Sequence, residues 1–160
     1  MYELFDAALR AAGIHPRHRD RFADRGDGLL TLIHEADRAP RIVLKRVIPA
    51  FGLLLAEYNA GLPPLGQLRV RAVIHAGKIY YDANGCFGET LDAAFRLLDA
   101  PGVKEALRAA QVPLVLVVSA QLDGSAHPGE IGQAFPRVSV HVAGNQHEGL
   151  VSVLRPPRSA

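Results

Sequence analysis

The run at residues 113–119, Pro-Leu-Val-Leu-Val-Val-Ser, places the tightest limit on how this chain can fold. A strand with one face in water alternates apolar and polar residues, whereas this run is apolar at every position from 114 to 118. We therefore expect a central strand that is covered on both faces and hydrogen-bonded along both edges. The rest of the chain must supply its neighbouring strands and the helices that cover it.

The sequence contains candidates for the neighbouring strands and for the covering helices. Residues 68–75 alternate in part and predict a strand, and residues 137–142 and 150–154 predict a hairpin joined across 143–149. Apolar residues at helical spacing predict three helices, at residues 2–12, 90–98 and 102–110. Mixed helices and hairpins of this kind indicate an α+β fold.

A longer helix is predicted from residue 40 to about residue 58. Pro40 suits its first turn, where the missing N–H costs nothing. Pro49 lies inside the span, and a proline there removes a hydrogen bond and clashes with the preceding turn. We therefore expect the helix to be kinked or divided near Pro49.

A glycine-flanked carboxylate marks a second hairpin. Gly26, Asp27 and Gly28 form a tight-turn sequence between predicted strands at residues 21–24 and 28–34, and residues 29–33 predict a buried strand. At the tip, Asp27 is placed where a metal ion or a phosphate-bearing ligand can approach. The alternative, that Asp27 is only a favourable turn residue, stays open.

Composition limits the class of protein. The chain has 160 residues, of which 49% are hydrophobic and 21% charged, so we expect one globular domain over residues 1–155 with a frayed tail at 156–160. A formal charge of +2 does not favour nucleic acid or a membrane as partner. Cys86 is the single cysteine, which excludes an internal disulfide, and the start is unlike a secretion signal. These features predict a soluble cytoplasmic protein.

Three segments occur in a distinctive order: Gly26-Asp27-Gly28, then Val73-Ile74-His75-Ala76-Gly77, then residues 85–96, Gly-Cys-Phe-Gly-Glu-Thr-Leu-Asp-Ala-Ala-Phe-Arg. Together they resemble the catalytic domain of class III nucleotidyl (adenylate and guanylate) cyclases. The likeness is greatest to a small, stand-alone actinobacterial branch. It implies a ferredoxin-like cyclase sandwich, in which helices pack on a mostly antiparallel sheet.

The resemblance also implies roles for individual residues. Asp27 matches the hairpin-tip aspartate that binds Mg²⁺ or Mn²⁺, and Arg96 matches the arginine that contacts phosphate. Asp92 stands at the ribose-binding asparagine position, and the glycines of the nucleotide site correspond to Gly26, Gly28 and Gly85. In this family the sites form between two subunits, which implies a homodimer, or a heterodimer with another cyclase-like chain.

Departures from the family pattern fall on the catalytic elements. The first strand, with its own metal-binding aspartate, has no counterpart before the helix at residues 2–12. Asp92 replaces an asparagine, repels a triphosphate, and is spaced to pair with Arg96. The segment at 144–149 contains no lysine. Three explanations of the missing strand are open: an upstream start, a strand donated by another subunit, or a sheet that has closed up.

These departures predict a degenerate cyclase-like domain, a signalling pseudoenzyme that binds a nucleoside triphosphate weakly through one cation or serves as a regulatory dimerisation module. One alternative is an active cyclase whose missing aspartate comes from an upstream segment or a partner subunit. A second is a ligand-free interaction scaffold. His75 is expected only to pack at a strand end, and the other histidines lack ligand spacing. The preferred base and the pathway are not specified.

Overall fold

A computed structural model describes residues 1–34, 39–122 and 132–154. The tail predicted at residues 156–160 lies outside them. The contacts divide the chain into two compact units, Met1–Leu68 and Arg69–Ala160, each of which is described by itself. That residues 1–155 form one domain stays a prediction. The mixture of helices and sheets confirms the α+β class.

The first unit begins with helix α1 (Tyr2–Ala11), as predicted, which buries Ala8 and Leu9. Gly13 ends the helix by adopting a positive φ of 85°, which only glycine adopts freely. Its N–H donates to the carbonyl of Arg10 at 2.9 Å, so the last turn is closed by backbone hydrogen bonds.

The long second helix is divided, which confirms the prediction at Pro49. It consists of α2 (Ala39–Ile42), a π-helical turn (Val43–Val47) and α3 (Ile48–Ala60). The N–H of Ile48 donates to the carbonyl of Val43, five residues earlier. Since Pro49 has no N–H to give to the preceding turn, the helix widens before it and resumes as an α-helix.

The hairpin around Asp27 forms, but its strands are shorter than predicted. β1 (Ala23–Asp24) pairs antiparallel with β2 (Leu29–Leu30), and an isolated bridge joins Arg19 to Ile33. The prediction of a buried strand at residues 29–33 is wrong, because all five residues are only partly buried. In the described part of the chain β2 has a strand on one edge alone, so this run has little to pack against.

The second unit contains a four-stranded sheet of order β3-β6-β8-β7. Its strands are β3 (Val70–Ile74), β6 (Leu114–Ser119), β7 (Gly132–Val142) and β8 (Asn145–Leu154). β6 is central and buried throughout, as predicted; it runs parallel to β3 and antiparallel to β8. A separate two-stranded hairpin comprises β4 (Tyr80–Asp82) and β5 (Gly85–Phe87).

Two helices lie between β3 and β6 in the chain and confirm the predicted pair. They are α4 (Glu89–Asp99) and α5 (Pro101–Ala109). The core they form with the sheet includes Leu97, Val103 and Val117, which are fully buried. No helix of the described residues is long and apolar enough to cross a membrane.

The connection between β7 and β8 differs from the predicted seven-residue loop. Val142 pairs with Asn145, so only Ala143 and Gly144 form the turn, with φ of 49° and 85°. Two consecutive residues of positive φ are typical of a type I′ turn, whose twist matches that of a hairpin. Residues 145–149 therefore belong to β8, and this places His147 in the sheet.

Candidate functional site

Asp27 lies exposed at the tip of the β1–β2 hairpin, in the first unit. It does not hold the turn together, since that role falls to Asp24, whose Oδ1 accepts a hydrogen bond from the N–H of Gly26 at 2.7 Å. This hydrogen bond, and a second from the Tyr2 hydroxyl, lower the pKa of Asp24. The Asp27 carboxylate has no partner among the described residues and is free to bind a ligand.

The two glycines beside Asp27 differ in their backbone requirements. Gly26 has a φ of +82°, so its place in the turn is explained by conformation. Gly28 needs no such conformation, and a Cβ added there would meet nothing within 4 Å. The cofactor-binding role inferred for both residues from the family resemblance stays a prediction.

Asp92 and Arg96 lie one turn apart on α4 of the second unit, and both side chains are exposed. The ion pair expected between them is absent: within the described ranges, neither side chain forms a hydrogen bond or ion pair. Asp99, at the end of the same helix, does form one, with Nη1 of Arg71 at 2.9 Å. The Arg96 guanidinium is thus available to an external anion, with a carboxylate beside it.

Gly85 lies at the end of the tight turn between β4 and β5. Its φ of +127° explains the glycine by backbone geometry. The N–H of Asn84 donates to Oδ1 of Asp82 at 2.7 Å, as in other aspartate-stabilised turns. Asp82 is therefore a turn residue, and Gly85 presents no side chain that could select a base.

A polar cluster that was not predicted lies at one end of the sheet in the second unit. His75 directly follows β3, His147 lies on β8, and Glu89 begins α4. The two imidazole rings meet edge to face, with centroids 6.0 Å apart. His147 Nε2 lies 3.0 Å from Oε1 of Glu89, and that oxygen accepts a second hydrogen bond from Asn145 at 2.8 Å. We call His75, His147 and Glu89 the histidine cluster.

The two histidines have very different environments. His147 is buried but bonded to Glu89, whereas both ring nitrogens of His75 are shielded from solvent and have no hydrogen-bond partner among the described residues. Burial lowers the pKa of His75, and positive charge on His147 lowers it further. The hydrogen bonds from Asn145 and His147 lower the pKa of Glu89.

Only part of the histidine cluster was detectable from the sequence. His75 was expected at a strand end, and it directly follows β3. Glu89 begins α4, one residue before the helix predicted at residues 90–98. His147 was missed because residues 143–149 were predicted to be a loop. Only the tight turn at Ala143 and Gly144 extends β8 far enough to bring His147 against His75.

In residues 1–34, 39–122 and 132–154, no three or more histidine, cysteine, aspartate or glutamate side chains are arranged to hold a metal. The single weak Mg²⁺ or Mn²⁺ site expected at Asp27 would need oxygen ligands from the nucleotide itself, and it stays a prediction.

Comparisons with protein-family models, with curated proteins and with solved structures found no match to this chain.

Proposed function

We propose that this chain is a degenerate class III nucleotidyl-cyclase-like domain that binds a nucleoside triphosphate weakly in the cytoplasm and acts as a regulatory module, not as a catalyst. Its fold would be a variant of the ferredoxin-like cyclase sandwich. The observation that carries the proposal is the exposed pair on α4, in which Arg96 can contact phosphate while Asp92 opposes the same ligand.

The opposing effects of these two side chains can be compared. A guanidinium offers two parallel donors to phosphate oxygens, so Arg96 favours binding. At a separation of about 6 Å in water, each pair of like unit charges costs about 0.7 kcal/mol. A triphosphate with one bound Mg²⁺ has about two net negative charges, so Asp92 costs its binding about 1.4 kcal/mol, or about tenfold in affinity. An asparagine would remove this repulsion and could donate an amide hydrogen bond.

Asp27 supports the binding of one cation. Its exposed carboxylate is not occupied by the turn, and Mg²⁺ is commonly bound by one or two carboxylates together with substrate phosphates. Cyclisation by this family uses two cations and a ribose-binding asparagine. The replacement at Asp92 and the absence of lysine from residues 144–149 therefore favour binding without turnover.

Nucleotide titration of four variants tests the proposal. ATP and GTP with Mg²⁺ are titrated by calorimetry into the wild type, Asp92→Asn, Arg96→Gln and two controls on α5, Glu105→Gln and Arg108→Gln, which are also exposed. We expect weak binding by the wild type, binding about tenfold tighter in Asp92→Asn, none detectable in Arg96→Gln, and no change in the controls.

Two results would contradict the proposal. Absence of binding at millimolar nucleotide in the wild type and in Asp92→Asn would favour the ligand-free scaffold. Formation of a cyclic nucleotide with Mn²⁺ that Asp27→Ala abolishes would favour the active cyclase. Calorimetry measures the binding and mass spectrometry detects the cyclic nucleotide, both on the same preparations.

The proposal includes dimerisation through the family's interface. Sedimentation equilibrium should then give about twice the monomer mass of 17.2 kDa. A monomer mass at every accessible concentration would exclude the homodimer, and the proposal would then require a heterodimer with another cyclase-like chain.

A further inference from the structure

The histidine cluster has one carboxylate for two imidazoles. Glu89 lies within hydrogen-bond distance of His147, whereas neither nitrogen of His75 has a partner in the described part of the chain. The Glu89 carboxylate lies beside His147 and balances positive charge there. A proton on His75 would find no acceptor among the described residues, and positive charge on His147, whose ring centroid is 6.0 Å away, would oppose it.

No other charged group near His75 in the described part of the chain supplies it with an anionic partner. β6 contributes only apolar residues and Ser119, and on β8 the neighbouring Glu148 binds Arg137. On α5, Lys104 binds Asp99 at the far end of α4 from Glu89. In the segment after His75, the Lys78 ammonium lies over the ring of Tyr80, 5.3 Å from its centroid. Glu89 is thus the only anion bonded to the cluster among the described residues.

The segment that follows His75 is packed tightly against α4. A Cβ added to Gly77 would lie 2.5 Å from Oγ1 of Thr90, so the backbone passes directly over the first turn of the helix. Thr90 Oγ1 also donates to the carbonyl of Lys78 at 2.9 Å. His75 and this hydrogen bond fix both ends of residues 75–78, and the β4–β5 hairpin follows immediately.

We propose that the histidine cluster is a proton-operated latch: it holds residues 75–78 against α4 while His75 is neutral, and it releases them when His75 takes up a proton. The closed form cannot solvate or pair a charged His75, whereas the open form exposes it to water. The latch does not depend on nucleotide binding, so it can be tested whether or not the proposed function holds.

The direction of the pH effect follows from the cause of the shift. The pKa of His75 is lowered in the closed form from its ordinary value of 6.5. At a pH between the lowered pKa of the closed form and 6.5, the open form binds a proton that the closed form does not, so acid favours opening. The closed state is therefore fully favoured above pH 6.5 and weakens as the pH falls below it.

Hydrogen exchange measured by mass spectrometry from pH 7.5 to pH 5.0, corrected for the intrinsic rate, tests the latch. We expect the opening constant of residues 75–78 and of the first turn of α4 to rise as the pH falls below 6.5, by no more than about tenfold per pH unit because one proton is taken up. Protection of β6 should not change over the same range. Protection that is independent of pH throughout would overturn the proposal.

Two substitutions separate the latch from general acid destabilisation. His75→Phe should stay closed at pH 5.0, and the matched control His141→Phe, at an exposed histidine of β7, should open as the wild type does. His75→Gln carries a side chain that stays uncharged at every pH, so it should lose the pH dependence as His75→Phe does.

Each variant can refute the latch by itself. An unchanged pH dependence in His75→Phe would show that His75 is not the group responsible. If His75→Phe does not fold, His75→Gln still decides, because an unchanged pH dependence in that variant would exclude His75 in the same way.

Discussion

Two apolar segments of this chain have opposite environments. β6 in the second unit has β3 on one edge and β8 on the other, and its residues are buried. Residues 29–33 in the first unit have a similar composition, yet they are only partly buried, and β2 pairs with the two residues of β1. Composition favours a strand in both cases, but the number of neighbouring strands and helices determines how much of it is buried.

This difference has an energetic consequence. A residue of β6 is almost completely withdrawn from water on folding, whereas a residue of β2 keeps part of its hydration. The burial of apolar surface contributes about 25 cal/mol per Å², so equal side chains in the two segments contribute unequally to stability. The predictions below use matched substitutions in the two units to measure this inequality.

The largest effect is expected from truncating one leucine in each segment. Leu116 in β6 is completely buried, so Leu116→Ala should lower the free energy of unfolding of the second unit by about 2–5 kcal/mol. Leu30→Ala should cost the first unit less than about 1 kcal/mol. Native-state hydrogen exchange at increasing urea concentration measures the free energy of unfolding of each unit separately. Equal losses would show that residues 29–33 are as well packed as β6.

Local sequence signals identified the elements that depend on neighbours in the chain. Gly13 ends α1, Pro49 divides the second helix, and the periodic pattern of residues 90–98 predicts α4. In each case the deciding interaction lies within about one helical turn, so the sequence contains all of it. The uninterrupted apolar run of β6 likewise requires cover on both faces wherever the chain places it.

Features that depend on distant pairing could not be found in this way. The partial burial of residues 29–33 depends on which strands pair with β2, and His147 meets His75 only through the register of β8 with its neighbours. The same distinction applies to the candidate site. Exposure of Asp27 at a turn was predictable, but the absence of a bond between Asp92 and Arg96 depends on side-chain conformations that their spacing does not determine.

A smaller effect is expected from adding one methyl group to a glycine of each unit. In Gly149→Ala the new Cβ would lie 2.6 Å from Cγ1 of Val117 and 3.3 Å from Cδ2 of Leu97. Because those side chains are fully buried, the contact cannot relax freely, and we expect a loss of about 1–3 kcal/mol in the second unit.

Gly28→Ala is the control for this substitution. The new Cβ would meet nothing within 4 Å, and Gly28 does not need a positive φ, so the free energy of unfolding should change by less than about 0.5 kcal/mol. Urea denaturation of both variants measures the difference. A loss at Gly28 as large as that at Gly149 would show that the β1–β2 hairpin is covered to a similar extent as the sheet.

The smallest effect concerns the turns of the two units. The β1–β2 turn has glycine at its positive-φ position, whereas the β7–β8 turn has Ala143 there, the one non-glycine residue with positive φ in the described ranges. Asparagine tolerates this conformation better than alanine, so Ala143→Asn should stabilise the second unit by up to about 1 kcal/mol. Ala83→Asn, in the β4–β5 turn, is the control and should not stabilise, because Ala83 lacks a positive φ. If thermal denaturation shows the same gain for both, the benefit comes from asparagine in any turn, and the left-handed conformation at Ala143 is not its cause.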